Sequence, residues 1–150
     1  MKKQILLVTC ILIGVFANAQ WQLTGNAGTD PAVNFIGTTD AAPLVFKVTG
    51  NKAGKLSTAL TSFGINSGIN ISSGSENSFF GRNSGLSNTT GAKNCFFGDN
   101  AGLYTTSGTQ NSFFGERSGV STTTGNLNTY LGNAAGFANT GGVNNVAVGH

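Results

Sequence analysis

From Leu60 onward the apolar and polar positions of the chain recur every 17 residues. Rows beginning at Leu60, Asn77, Asn94, Asn111, Asn128 and Asn145 align without insertion or deletion. Three columns are glycine throughout. The first is Gly64, Gly81, Gly98, Gly115, Gly132 and Gly149; the second is Gly68, Gly85, Gly102, Gly119 and Gly136; the third is Gly74, Gly91, Gly108, Gly125 and Gly142. Two columns are apolar throughout: Phe63, Phe80, Phe97, Phe114, Leu131 and Val148, and Ile69, Leu86, Leu103, Val120 and Phe137. Another runs Ser62, Phe79, Phe96, Phe113, Tyr130 and Ala147.

A row with one short apolar run cannot bury its own side chains. Stacking each residue on its copy in the next row can. The pattern therefore predicts an all-β fold, a parallel β-solenoid (β-roll) of about six coils over residues 60–150. Each row predicts a short strand, such as Asn77-Ser78-Phe79-Phe80, ended by glycine. A second extended piece is expected around Leu86, running to Thr90. No apolar period of 3.6 residues with helix caps occurs in this region, so no helix is expected. At about 4.8 Å per coil the rod would be about 29 Å long. Gly81, Gly98, Gly115 and Gly132 are expected at corners with positive φ or close backbone approach. The asparagines that open five of the six rows predict an amide ladder along the axis.

Neighbouring strand residues point to opposite faces, so Phe79 and Phe80 cannot both enter one narrow coil. The column that is apolar in every row is expected inside: Phe63, Phe80, Phe97, Phe114 and Leu131, together with Leu86, Leu103 and Val120. Phe79, Phe96, Phe113 and Tyr130 are then expected outside, as an apolar stripe through which identical rods pack. The other arrangement is a flattened coil with a bulge that takes both columns. Cys95 falls in the column Thr61, Ser78, Cys95, Ser112 and Thr129, read as a small inward slot filled by a thiol or hydroxyl.

The rest of the chain divides in two. Residues 1–19 have the layout of a secretory signal: Met1-Lys2-Lys3, an apolar run from Ile5 to Phe16, and Ala17-Asn18-Ala19 before a cut that leaves Gln20 first. That places the protein outside the cell or on its outer surface. Leu7-Val8-Thr9-Cys10 is a poor lipoprotein box, because Thr precedes the cysteine and the apolar run continues. Residues 20–59 predict a short β module that covers the first coil, with strands at Trp21-Gln22-Leu23, Val33-Asn34-Phe35-Ile36 and Leu44-Val45-Phe46-Lys47-Val48. Turns are expected at Gly25-Asn26-Ala27-Gly28 and Thr49-Gly50-Asn51-Lys52. The array breaks off in mid-row at His150, which reads as part of a longer chain.

Composition narrows the function classes. Of 150 residues 23 are Gly and 11 are Phe, with only 9% charged, which fits neither a disordered chain nor collagen. Eight Lys and Arg, less Lys2 and Lys3, leave six against five acidic residues. Such a balance gives no footprint for nucleic acid, and no segment after the signal is apolar enough to insert into a membrane. The single histidine is His150, and no His, Cys, Asp and Glu cluster has the spacing of a metal or nucleophile site. No cofactor and no catalysis are expected. Asp99 and Glu116 share a column at about the separation used by retaining glycosidases. Arg82 precedes them in that column, so an exposed charge ladder is the simpler reading.

Asn77-Ser78-Phe79-Phe80-Gly81-Arg82-Asn83-Ser84-Gly85 resembles the head repeat of trimeric autotransporter adhesins, the YadA-like head. Asn128-Thr129-Tyr130-Leu131-Gly132 and Asn145-Val146-Ala147-Val148-Gly149 resemble it too. The stretches Asn34 to Asp40 and Pro43 to Lys47 look like the opening of tail-fibre-like surface proteins. The resemblance implies a homotrimer of left-handed parallel β-rolls on a bacterial surface, binding a host, matrix or glycan surface. The period of 17 departs from the shorter one of the best-known heads, and no stalk, anchor or chaperone domain is present in this sequence. A rival reading takes the column Thr89, Thr106, Thr123 and Thr140 as the face of a monomeric ice- or surface-binding solenoid.

Overall fold

A computed structural model describes residues 27–30, 32 and 34–150. The expected signal segment and the expected strand at Trp21 lie outside these residues. Residues 37–150 form one compact unit. Among the described residues there is no helix, and Asn34, Phe35 and Ile36 form no strand.

The unit is a parallel β-solenoid. Strands β3 (Leu60–Phe63), β4 (Asn77–Phe80), β5 (Cys95–Phe97), β6 (Ser112–Phe114), β7 (Thr129–Leu131) and β8 (Val146–Val148) lie side by side in chain order. Every pair is parallel and offset by one repeat: Ser62 beside Phe79, Phe79 beside Phe96, Phe96 beside Phe113, Phe113 beside Tyr130. Before them β1 (Leu44–Val48) and β2 (Asn51–Leu56) form a hairpin turned at Thr49 and Gly50. The hairpin joins antiparallel to β3. Carbonyls of Ala53 and Lys52 accept from Gly64 and Asn66, as Phe63 and Ile65 accept from Gly81 and Asn83 one coil later. It thus covers the first coil, although β2 carries no apolar alternation that would reveal it.

The remainder of each coil is not the expected second extended piece. Arg82 to Ser87 and the equivalent residues of other coils are turns, bent by positive φ at Asn83 (55°) and Gly85 (59°). Asn100 and Asn66 repeat the first of these at 57° and 61°.

The glycine columns have distinct causes. A Cβ on Gly81, whose φ is +128°, would stand 2.3 Å from the carbonyl oxygen of Gly98 in the next coil. A Cβ on Gly102 would enter the ring of Phe96 at 2.4 Å. The third column has no positive φ, yet a Cβ on Gly108 would lie 2.5 Å from the Gly125 oxygen.

Inside, each of the four middle coils holds one aromatic ring. Phe79, Phe96 and Phe113 are 0% exposed and Tyr130 1%. Their centroids are 4.9, 4.8 and 4.8 Å apart with planes within 7° of parallel. Burial raises the Tyr130 phenol above its ordinary pKa, opposed by the amide of Asn139, which donates to its oxygen.

The asparagine ladder is present beside these rings. Oδ1 of Asn94 accepts from the Asn111 backbone N–H at 3.0 Å and from its amide at 3.2 Å, while Nδ2 donates to the Gly108 carbonyl at 2.8 Å. Asn111 repeats this toward Asn128 and Gly125. A buried hydroxyl file joins it: Ser84 Oγ donates to the Phe96 carbonyl and Ser118 Oγ to that of Tyr130.

Gly102→Ala should lower unfolding free energy by about 3 kcal/mol or more, since ring and backbone φ both oppose a methyl group. Gly141→Ala, whose nearest foreign atom is 3.5 Å from a new Cβ, should change it by less than about 1 kcal/mol in the same denaturant titration.

Candidate functional site

The pleat fixes what the rod shows to its surroundings. With Asn77 and Phe79 turned inward, Ser78 and Phe80 must turn outward. The expected assignment of the two aromatic columns is therefore inverted. Phe79, Phe96, Phe113 and Tyr130 are core, not interface. Phe63, Phe97 and Phe114 are 38%, 37% and 38% exposed, Leu131 52% and Val148 73%, with Phe80 half-buried. The flattened coil that would take both columns is not formed. Leu86 and Leu103 are only half-buried beyond the first corner, whereas Val120 is buried there as expected.

The physical reason lies in parity. A buried asparagine ladder and a buried aromatic file two residues later occupy one face, leaving the intervening positions outside. Cys95 follows the same rule. It stands on the outer face rather than in an inward slot, half-buried and free, with its thiol pushed up by partial burial.

The outer face carries two parallel files. The large one runs Phe46, Gly54, Phe63, Phe80, Phe97, Phe114, Leu131 and Val148 across all eight strands. The small one runs Leu44, Leu56, Thr61, Ser78, Cys95, Ser112, Thr129 and Val146. Rings of the large file stack along the axis, with centroids 5.8 Å apart for Phe63 and Phe80, 4.6 Å for Phe80 and Phe97, and 5.3 Å for Phe97 and Phe114, while Phe46 meets Phe63 tilted by 39° at 5.4 Å. Gly54 makes the first contact possible, because a Cβ there would lie 3.0 Å from the Phe63 ring and 3.2 Å from that of Phe46. No sequence pattern singled out Gly54 or Phe46; only the hairpin places them in the file.

Because ring faces lie against ring faces, edges point outward. A stacked ridge of edges offers no flat platform for a sugar ring. It offers apolar area at the pitch of the coils. Each partly exposed Phe leaves about 75 Å² uncovered, and the whole file roughly 500 Å², near the upper range for the largest apolar patch on a monomer.

The other candidate groups are engaged elsewhere. Arg82 pairs with Asp99 at 2.8 Å, and Glu116 accepts from Asn133 Nδ2 at 3.4 Å. Among the described residues the column thus holds one ion pair and one amide contact, not a continuous ladder of opposite charges. Arg117 lies over the Phe137 ring, 4.9 Å from its centroid. Thr89, Thr106 and Thr123 each donate their hydroxyl proton to the carbonyl of the next copy, at 3.2, 3.1 and 3.1 Å. The donors of this face are thus engaged within the rod. Among the described residues no group of three His, Cys, Asp or Glu could hold a metal ion, and no helix is long and apolar enough to cross a membrane.

Compared with family profiles, with curated proteins and with solved structures, the chain matches none.

The two faces make opposite demands on an introduced charge. Phe97→Asp should leave a folded chain with cooperative unfolding and an unchanged β-type circular dichroism spectrum. Phe96→Asp should abolish both, because an unpaired carboxylate would enter the ring stack. Equal tolerance of the two would overturn the assignment of faces.

Proposed function

We propose that this protein is a structural and adhesive rod, exported to the cell surface or beyond it, that self-associates through its outer aromatic face. The observation that supports this is the ridge of stacked ring edges from Phe63 to Phe114, continued by Leu131 and Val148. Apolar area of that extent and shape favours a protein partner over water. Its bumps recur once per coil, so a partner with the same axial repeat can meet every rung in register. A second copy of this chain has that repeat.

On this reading the assembly is a homotrimer, as the likeness to YadA-like head repeats implies. The remaining faces, where threonine and asparagine stand among exposed Ile69, Tyr104, Leu127 and Phe137, present the binding surface toward a host, matrix or glycan. No step of the proposal involves catalysis. Export rests on the lysine-led apolar segment and the Ala17-Asn18-Ala19 site.

Sedimentation equilibrium of the purified protein at micromolar concentration should give three times the chain mass, and Phe97→Asp should give one. A wild-type monomer at that concentration overturns the assembly. Mass spectrometry of protein recovered from the exported fraction should find Gln20 at the N-terminus. Retention of Met1 on protein left in the cytosol would remove the export claim.

A further inference from the structure

The outer face is uneven in a way that specifies how two copies meet. Its large file of rings and its small file of Ser78, Cys95, Ser112 and Thr129 lie two residues apart on the same strands, about 7 Å. One is a ridge, the other a valley, and both have the pitch of the coils.

We propose that identical chains join ridge to valley, the aromatic file of one copy seated in the Ser78-Cys95-Ser112 file of the next, with Cys95 beneath a neighbour's ring. This rests on the self-association proposed above and names the two surfaces that meet. Ridge against ridge would hold the rods apart and leave both valleys as voids, forfeiting contacts that close packing supplies. Ridge in valley matches large to small on the rungs from Phe63 and Thr61 to Leu131 and Thr129.

Area requires that the assembly close. The ridge contributes roughly 500 Å² and the shallower valley about half as much, so one contact removes about 750 Å² in total, below the ~1,200 Å² of a lasting pair. Ridge and valley lie side by side on one face, so each copy can both give a ridge and receive one about an axis parallel to the rod, and none is left free once the assembly closes. In a closed ring every copy makes two contacts, about 1,500 Å², within the usual range. A two-copy assembly through a single such contact falls short.

Cys95 reports the packing directly. In the wild-type protein its thiol should react with an aromatic disulfide reagent at least tenfold more slowly than in the Phe97→Asp variant at the same pH. Cys95→Ala should still sediment as a trimer. Cys95→Trp, which fills the valley without touching the coil interior, should sediment as a folded monomer. A trimer with a thiol as reactive as in Phe97→Asp overturns ridge-to-valley packing and leaves self-association standing. The same holds for a trimer that tolerates Cys95→Trp. A wild-type monomer overturns both. The thiol rate leaves Cys95 itself unsubstituted, so a folding defect in Cys95→Trp cannot mask the answer.

Discussion

The axial spacing of this rod is set where two backbones touch. At the first corner of each coil a glycine lies against the glycine of the next, so close that a Cβ would stand 2.3 Å from the neighbouring oxygen. The N–H of the same residue bonds to the preceding coil, Gly98 to Phe80 and Gly115 to Phe97, each at 2.8 Å. Ring stacking, the amide ladder and the threonine-to-carbonyl bonds all require that spacing. A side chain at one such corner would lift a whole coil, and every file crossing it would open together. Stability here is a nearest-neighbour property along one axis.

Identical neighbours also decide which polar groups can be buried. The asparagine column repeats one residue type, so each amide meets the same partners at the same offset and its donors and acceptors are used. The column Ile71, Asn88, Thr105, Thr122 and Asn139 mixes sizes and chemistries. There the buried amide of Asn88 and hydroxyl of Thr105 have no hydrogen-bond partner among the described residues. Satisfying a buried polar group is worth about 1–3 kcal/mol. A narrow coil with at most one ring per turn has little apolar burial to offset such losses. Uniform columns are therefore a condition of the fold as much as a trace of its repetition.

The period, the glycine corners, the strand and the ladder were all legible in the sequence, because each is a property of one column. The choice of face was not, because it depends on how columns combine. Constancy of apolar character favoured the Phe80 column as core. The first row held the contrary signal: Leu60 replaces Asn and Ser62 replaces Phe, two residues apart. Leu60 is buried at 1% and joins the Phe79 cluster, so the two exchanges compensate across one interior. Strand β2 was hidden because Asn51-Lys52-Ala53-Gly54-Lys55-Leu56 is ordered by pairing on both sides. Half-buried Lys52, its ammonium donating to the Gly68 carbonyl at 3.1 Å, has its pKa lowered by burial and by Lys55. The candidate site was legible in kind, as an exposed aromatic row, but misplaced by one residue, and the small column now beside it was read as facing inward.

Association along the axis and association across it are treated differently by this chain. A parallel coil leaves a row of open backbone groups on each flank, onto which another coil could add. At the N-terminal flank the direction of the chain reverses: β2 occupies the bonding groups of β3, and β1 forms the edge. That edge is five residues long, carries Lys47 and breaks register by a bulge between Phe46 and Lys47. Short length, charge and irregularity all disfavour pairing with another strand. The same hairpin sends Phe46 onto Phe63 and so extends the outer ridge rather than covering it. One element thus closes the rod against end-on addition at this flank and lengthens the face available for side-by-side contact. For the self-association proposed above, that combination disfavours end-on addition at this flank and favours side-by-side contact.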